Sequence, residues 1–132
     1  LEEVDLIYMD PPYNQHPYGS NYFMLNLIND YKKPKEISEV SGIPKDWKRS
    51  KYNQKKESLA ALNELCSKAK AKYLLISFNS EGFITKKEME HMLNKIGYVL
   101  TMEKKYITYR ASRNLTKRNT YLYEYLFLVK KF

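Results

Sequence analysis

Asp10-Pro11-Pro12-Tyr13 stand together at the end of the apolar run Val4-Asp5-Leu6-Ile7-Tyr8-Met9. A carboxylate, a proline-stiffened corner and an aromatic ring in direct succession suit chemistry on the exocyclic amino group of a flat base taken out of its stack. Such chemistry asks for an acceptor that bonds the amino hydrogens, a second acceptor of fixed direction, and an aromatic face for the extruded base. Asp10 can be the first acceptor. The Pro11 carbonyl can be the second, because proline locks φ and so sets the direction of the backbone around it. The Tyr13 ring can hold the base. Asp and Pro are also frequent turn residues, and a plain strand-ending turn is the competing reading. The apolar strand in front and the polar continuation Asn14-Gln15-His16-Pro17-Tyr18-Gly19-Ser20-Asn21-Tyr22 argue against it.

Other residues could serve the same site. Phe78-Asn79-Ser80-Glu81-Gly82 follows a second apolar run. It reads either as a wall of the base pocket or, more readily on turn chemistry alone, as a turn leading into a helix. Two basic, hydroxyl-rich segments carry the usual side-chain donors to phosphate oxygens. Residues 45–56 hold Lys48, Arg49 and Lys51, with Trp47 and Tyr52 interleaved. Residues 110–120 hold Arg110, Ser112, Arg113 and Asn114. Solvated loops are the plain alternative for each, and a base pocket between them favours a DNA-facing role. Tyr106 and Tyr109 offer a second stacking face, although strand tyrosines commonly just pack. His16 and His91 are the only histidines, far apart and without a Cys or acid cluster at ligand spacing, so no metal site is expected.

The elements that must position these residues follow from periodicity. Residues 4–9 and 73–78 are compact apolar runs of strand length, as in parallel strands covered on both faces. Residues 19–31 read as a helix with Ser20 as N-cap and Tyr22, Phe23, Leu25, Leu27 and Ile28 as its apolar stripe. A long polar excursion over 32–56 precedes a second helix over 56–71, with Leu59, Leu62, Leu65 and Cys66 at helical spacing. Thr85 and Glu88 form a capping box for a third helix, which Gly97 ends. Residues 98–109 and 121–129 are extended with no helix between them, which predicts an antiparallel hairpin. The fold class is therefore α/β, with two parallel strands, their helices and a terminal hairpin.

Bulk composition narrows the field. The chain has 132 residues, 43% hydrophobic and 14% aromatic, which fits one domain with its own core rather than a disordered segment. A formal net charge of +8 with 13 tyrosines favours a nucleic-acid partner. The single cysteine, Cys66, is expected to be buried; it permits no disulfide within one chain and agrees with a reducing cytoplasm. No stretch approaches the roughly 20 apolar residues of a membrane span. Leu1-Glu2-Glu3 lacks Met and runs straight into a strand, which reads as a chain cut from something longer.

The run from Asp10 through Asn14-Gln15 and Tyr18-Gly19-Ser20-Asn21-Tyr22-Phe23 resembles the Dam-type class of adenine-specific DNA methyltransferases, most closely its restriction–modification branch. Trp47-Lys48-Arg49-Ser50-Lys51-Tyr52-Asn53, Leu75-Ile76-Ser77-Phe78-Asn79-Ser80-Glu81-Gly82 and residues 106–114 extend the resemblance over nearly the whole chain. It implies the C-terminal half of a Rossmann-like methyltransferase sheet, with Asp10, Pro11 and Tyr13 matching the catalytic motif and Asp10 also facing the cofactor. It further implies S-adenosylmethionine as methyl donor and N6-methyladenine in DNA as product. In that class the cofactor's glycine motif precedes the catalytic one, and none of Gly19, Gly42, Gly82 and Gly97 forms a G-x-G. Residues 1–132 are accordingly a partial catalytic domain, expected to be inactive alone. The first strand should leave an unpaired edge that pairs with a second copy or with a separately encoded N-terminal half. Two rival readings are a remnant that only binds DNA, and a methyltransferase acting on RNA or on a protein glutamine.

Overall fold

The computed structural model describes residues 2–40, 42–45, 49–108 and 119–132. The described elements are β1 (Val4–Met9), α1 (Tyr18–Asn21), α2 (Phe23–Asp30), a single 3-10 turn (Lys51–Asn53), α3 (Ser58–Lys68), β2 (Ala71–Asn79), α4 (Lys86–Leu93), β3 (Gly97–Ile107) and β4 (Tyr121–Lys131). The strands form one sheet in the order β1-β2-β4-β3. β1 runs parallel to β2 with Leu6 opposite Tyr73 and Met9 opposite Ile76. β4 is antiparallel to both β2 and β3. The expected parallel pair and terminal hairpin are both present.

The core lies on one face of that sheet. Leu74 and Ile76 from β2 and Phe127 and Val129 from β4 are fully buried against Leu62 and Cys66 of α3 and Met89 and Leu93 of α4. Strand alternation puts the next residues on the opposite face, where Tyr8, Leu75, Leu128 and Leu100 share one row across all the strands. Among the described residues no helix covers that row, and Tyr8 and Leu100 are each 58% exposed. β1 therefore differs from the expectation of a strand buried on both faces. Its Met9 is buried and Ile7 half-buried, while Val4, Leu6 and Tyr8 are exposed. An apolar run reports that both faces dislike water; it does not report which one this chain covers. As expected, β1 is an edge strand, paired only with β2 among the described residues.

Local signals explain the helix ends. The Thr85 side chain accepts from the Glu88 amide at 3.3 Å, and the Glu88 carboxylate accepts from the Thr85 amide at 2.8 Å, the expected capping box. These bonds from Thr85 hold the Glu88 carboxyl below its ordinary range. The predicted helix over 19–31 is instead two pieces meeting at Tyr22, and Ser20 is not a cap. Ser20 is buried inside α1 with its hydroxyl donating to the Pro17 carbonyl at 2.9 Å, and Pro17 holds the N-cap position. A proline whose φ is preset and a serine that bonds backward serve the same end of the helix by different routes. α3 ends at Lys68, short of the expected 71. Its last carbonyls are taken by Lys131, whose ammonium donates to the carbonyls of Cys66, Ser67 and Ala69 at 3.1, 3.1 and 2.6 Å. Gly97 does not cap α4; it opens β3 opposite Lys131. A Cβ there would stand 2.3 Å from the Lys130 carbonyl oxygen, so strand packing, not a helix stop, requires the glycine.

Candidate functional site

β1 delivers Asp10 at its carboxyl end, the edge of an open α/β sheet where ligands bind. Asp10 is exposed, Pro11 is buried, and Pro12, Tyr13 and Asn14 are half-buried. The prolines thus seat the loop while the carboxylate stays open to solvent.

Tyr13 is held from three directions. Its carbonyl accepts from the Phe83 amide at 2.8 Å. Its ring meets the Phe78 ring edge-on, with centroids 6.1 Å apart and planes at 71°. The next carbonyl, that of Asn14, accepts from the Asn53 amide group at 2.9 Å. Asn53 is buried, and its side-chain oxygen accepts from the Ser50 hydroxyl at 2.9 Å and the Ser50 amide at 3.3 Å. Sequence reasoning placed Asn53 within the resemblance but gave it no task. Its signal was an Asn three residues after a Ser inside a polar segment, a pattern that also fits an ordinary loop.

The phenol of Tyr18 stands close enough to Asp10 that, after partial burial, the Asp10 carboxylate is the next largest influence pushing its pKa up. Tyr18 stacks on Tyr22 at 5.9 Å, so several rings line this edge. From the far side β4 contributes Glu124, which is half-buried and lies in register with Asn79. Burial raises the Glu124 carboxyl, the Asp10 charge raises it further, and a hydrogen bond with Asn79 opposes both. Glu124 interrupts the apolar strand Tyr121-Leu122-Tyr123-Glu124-Tyr125-Leu126, and that interruption is its signal in the sequence.

The basic segment reaches the same edge. Arg49 lines an open cavity of about 540 Å³ with Gln15, His16, Pro17 and Lys45, beside the continuation of the 10–13 loop. Lys51 begins the 3-10 turn and is exposed. On the hairpin, Tyr106 is exposed with the Lys104 ammonium 5.3 Å from its ring centre, and it borders a smaller cavity of about 260 Å³ together with Glu124. Lys48, Tyr109, Arg110, Ser112, Arg113 and Asn114, the other expected DNA contacts, lie outside the described residues. Ser80 ties the second motif to the hairpin: its amide donates to the Tyr123 carbonyl and its hydroxyl accepts from the Tyr123 amide, both at 2.9 Å.

The family model of the D12 class N6 adenine-specific DNA methyltransferases matches residues 1–92, more than two thirds of the chain and all of the loop just described. The chain belongs to this family. Among curated proteins it is similar to the type II methyltransferase M.FokI of Planomicrobium okeanokoites, with 35% identity over 99% of this chain and 21% of that protein. Type II methyltransferase M.CviAII of Paramecium bursaria Chlorella virus 1 is 32% identical over 96% of this chain and 37% of its own length. Modification methylase StsI of Streptococcus sanguinis is 30% identical over 98% of this chain and 20% of its own length. The chain thus spans between about a fifth and two fifths of these relatives. No solved structure matches it. No described helix is long and apolar enough to cross a membrane.

Proposed function

We propose that this chain forms the amino-group-binding edge of an enzyme that methylates the N6 position of adenine in DNA. The observation that carries the reading is the seating of the 10–13 loop at the carboxyl end of β1, with Pro11 buried, Asp10 open and the Tyr13 backbone anchored on Phe83. In this reading Asp10 and the Pro11 carbonyl accept the two amino hydrogens of a flipped adenine. That draws the nitrogen lone pair out of conjugation with the ring and toward an electrophile. The base lies on Tyr13, whose ring meets Phe78 edge-on. Tyr18 stands near Asp10, and burial and then the Asp10 charge push its phenol pKa upward.

S-adenosylmethionine is the methyl source that the family implies. The residues described here fit only the acceptor side of such a reaction, since no glycine-rich turn for a cofactor is among them. Asp10 is the residue placed to face both partners. Arg49 lies beside the loop that follows Tyr13, and Tyr106 with Lys104 lies across the edge near Glu124. That arrangement supports DNA backbone contacts on both flanks of the pocket. Pairing of the β1 edge with a second copy or a separate N-terminal half remains part of the proposal. Tritiated S-adenosylmethionine offered with unmethylated DNA, RNA and protein pools tests the reading: label in DNA adenine supports it, and label only in RNA or protein refutes the DNA assignment.

A further inference from the structure

The turn after β2 touches the 10–13 loop without belonging to it. The Phe83 amide holds the Tyr13 carbonyl, and the Phe78 ring supplies the edge on which the Tyr13 ring rests, 6.1 Å between centroids. Phe78 is itself 4% exposed and sits in the core cluster, so its ring has one seat. Gly82 lies against that ring. A Cβ at position 82 would stand 2.3 Å from Phe78 Cε1, 2.9 Å from Cζ and 3.1 Å from the Asn79 carbonyl oxygen. No side chain fits there unless the ring moves. Backbone conformation does not explain the glycine, because among the described glycines only Gly42 has a positive φ, at 66°. The close approach of Phe78 is what excludes a side chain at 82.

We propose that Gly82 is a positioning residue for Tyr13: by leaving room for the Phe78 ring it fixes the height and tilt of the surface on which the extruded base stacks. The inference rests on the methyltransferase reading given above. A methyl group at 82 displaces the buried Phe78 ring, and the Tyr13 ring that meets it edge-on shifts with it. Displacements of this kind are felt in turnover more than in DNA affinity, because backbone contacts lie elsewhere and near-attack geometry is sensitive to small shifts.

Three variants of the intact protein separate positioning from plain stability: Gly82→Ala, Phe78→Leu and the double variant. The readouts are kcat and KM for methyl transfer to unmethylated genomic DNA, the melting temperature, and amide exchange at Phe83, which reports whether the Tyr13 carbonyl is still held. Gly82→Ala is expected to lower kcat by roughly tenfold or more with KM for DNA changed less than about threefold. Leucine has no atoms where Cε1 and Cζ of Phe78 sit, so the double variant should regain melting temperature and Phe83 protection relative to Gly82→Ala. Its kcat should stay low, as in Phe78→Leu, because the edge under Tyr13 is gone. A Gly82→Ala enzyme with wild-type kcat would overturn the inference, and so would a double variant or Phe78→Leu enzyme that turns over normally. Should the wild-type protein methylate RNA or protein but no DNA, the DNA methyltransferase reading fails and this inference with it.

Discussion

Asn53 offers the sharpest structural perturbation. Its buried amide nitrogen links the 3-10 turn to the Asn14 carbonyl at 2.9 Å, while its oxygen serves Ser50. Asn53→Asp keeps an oxygen for Ser50 but turns the donor into a second acceptor that faces a carbonyl. One hydrogen bond is lost and two oxygens are set against each other, which should cost about 2–3 kcal/mol. Asn53→Ala loses every side-chain bond and leaves the Asn14 carbonyl and the Ser50 amide unmet, about 2–4 kcal/mol. Ser50→Ala removes only a hydroxyl donor and should cost about 1 kcal/mol. Urea titrations with unchanged slope give these differences from the midpoints. The Asp variant carries its own pH signature. Facing a carbonyl, its carboxyl is better protonated, so its folded pKa lies above the unfolded one of about 3.9. The folded state then binds the extra proton, stability gained at low pH is lost as pH rises, and the penalty should shrink on lowering pH from 7 toward 5. Asn53→Asp indistinguishable from wild type at pH 7, with no pH dependence of the difference, would refute the account of how the loop is held.

Lys131→Met keeps the apolar stem but releases three carbonyls at the end of α3. It should cost about 1–2 kcal/mol, read as a lowered urea midpoint. Tyr31 caps α2 in the left-handed region at φ 53° and is almost fully exposed, so Tyr31→Gly should stabilise by roughly 0.5–1 kcal/mol in a thermal melt. Burial pushes the Cys66 thiol up to about 11, with Lys131 opposing, so alkylation by iodoacetamide at pH 8 should be far slower in the folded protein than in urea. The folded thiol keeps its proton above the pH at which the unfolded one loses it. The Cys66 contribution should therefore favour folding less as pH rises from about 9 toward 11, and a Cys66→Ala variant should lack that component.

The parts of the fold written in local chemistry were legible in the sequence. Thr85 and Glu88 gave a capping box because both partners lie within one turn. β2 and the hairpin were legible because apolar runs and their separations constrain pairing. Features that depend on distant partners were not. Ser20 has the right type for an N-cap, but Pro17 took that position and left Ser20 a backward bond. The exposed side of β1 could not be told from its buried side, because Leu6 and Tyr8 are as apolar as Ile7 and Met9. At the site, Asp10, Pro11 and Tyr13 announced themselves by adjacency. Asn53 and Glu124 did not, since each acts through a residue far along the chain, Asn14 and Asn79; Gly82 did not, because its close approach to the nearby Phe78 ring is a matter of packing that residue type does not record.

The central claim is that Asp10 accepts the amino hydrogens of the target base. Its most direct test is methyl transfer from tritiated S-adenosylmethionine to unmethylated DNA by the intact protein and its Asp10→Ala variant, with DNA binding measured in parallel. Transfer is expected to be lost in Asp10→Ala while DNA affinity stays within about threefold, because phosphate contacts and not Asp10 dominate binding. Transfer at the wild-type rate by Asp10→Ala would contradict it.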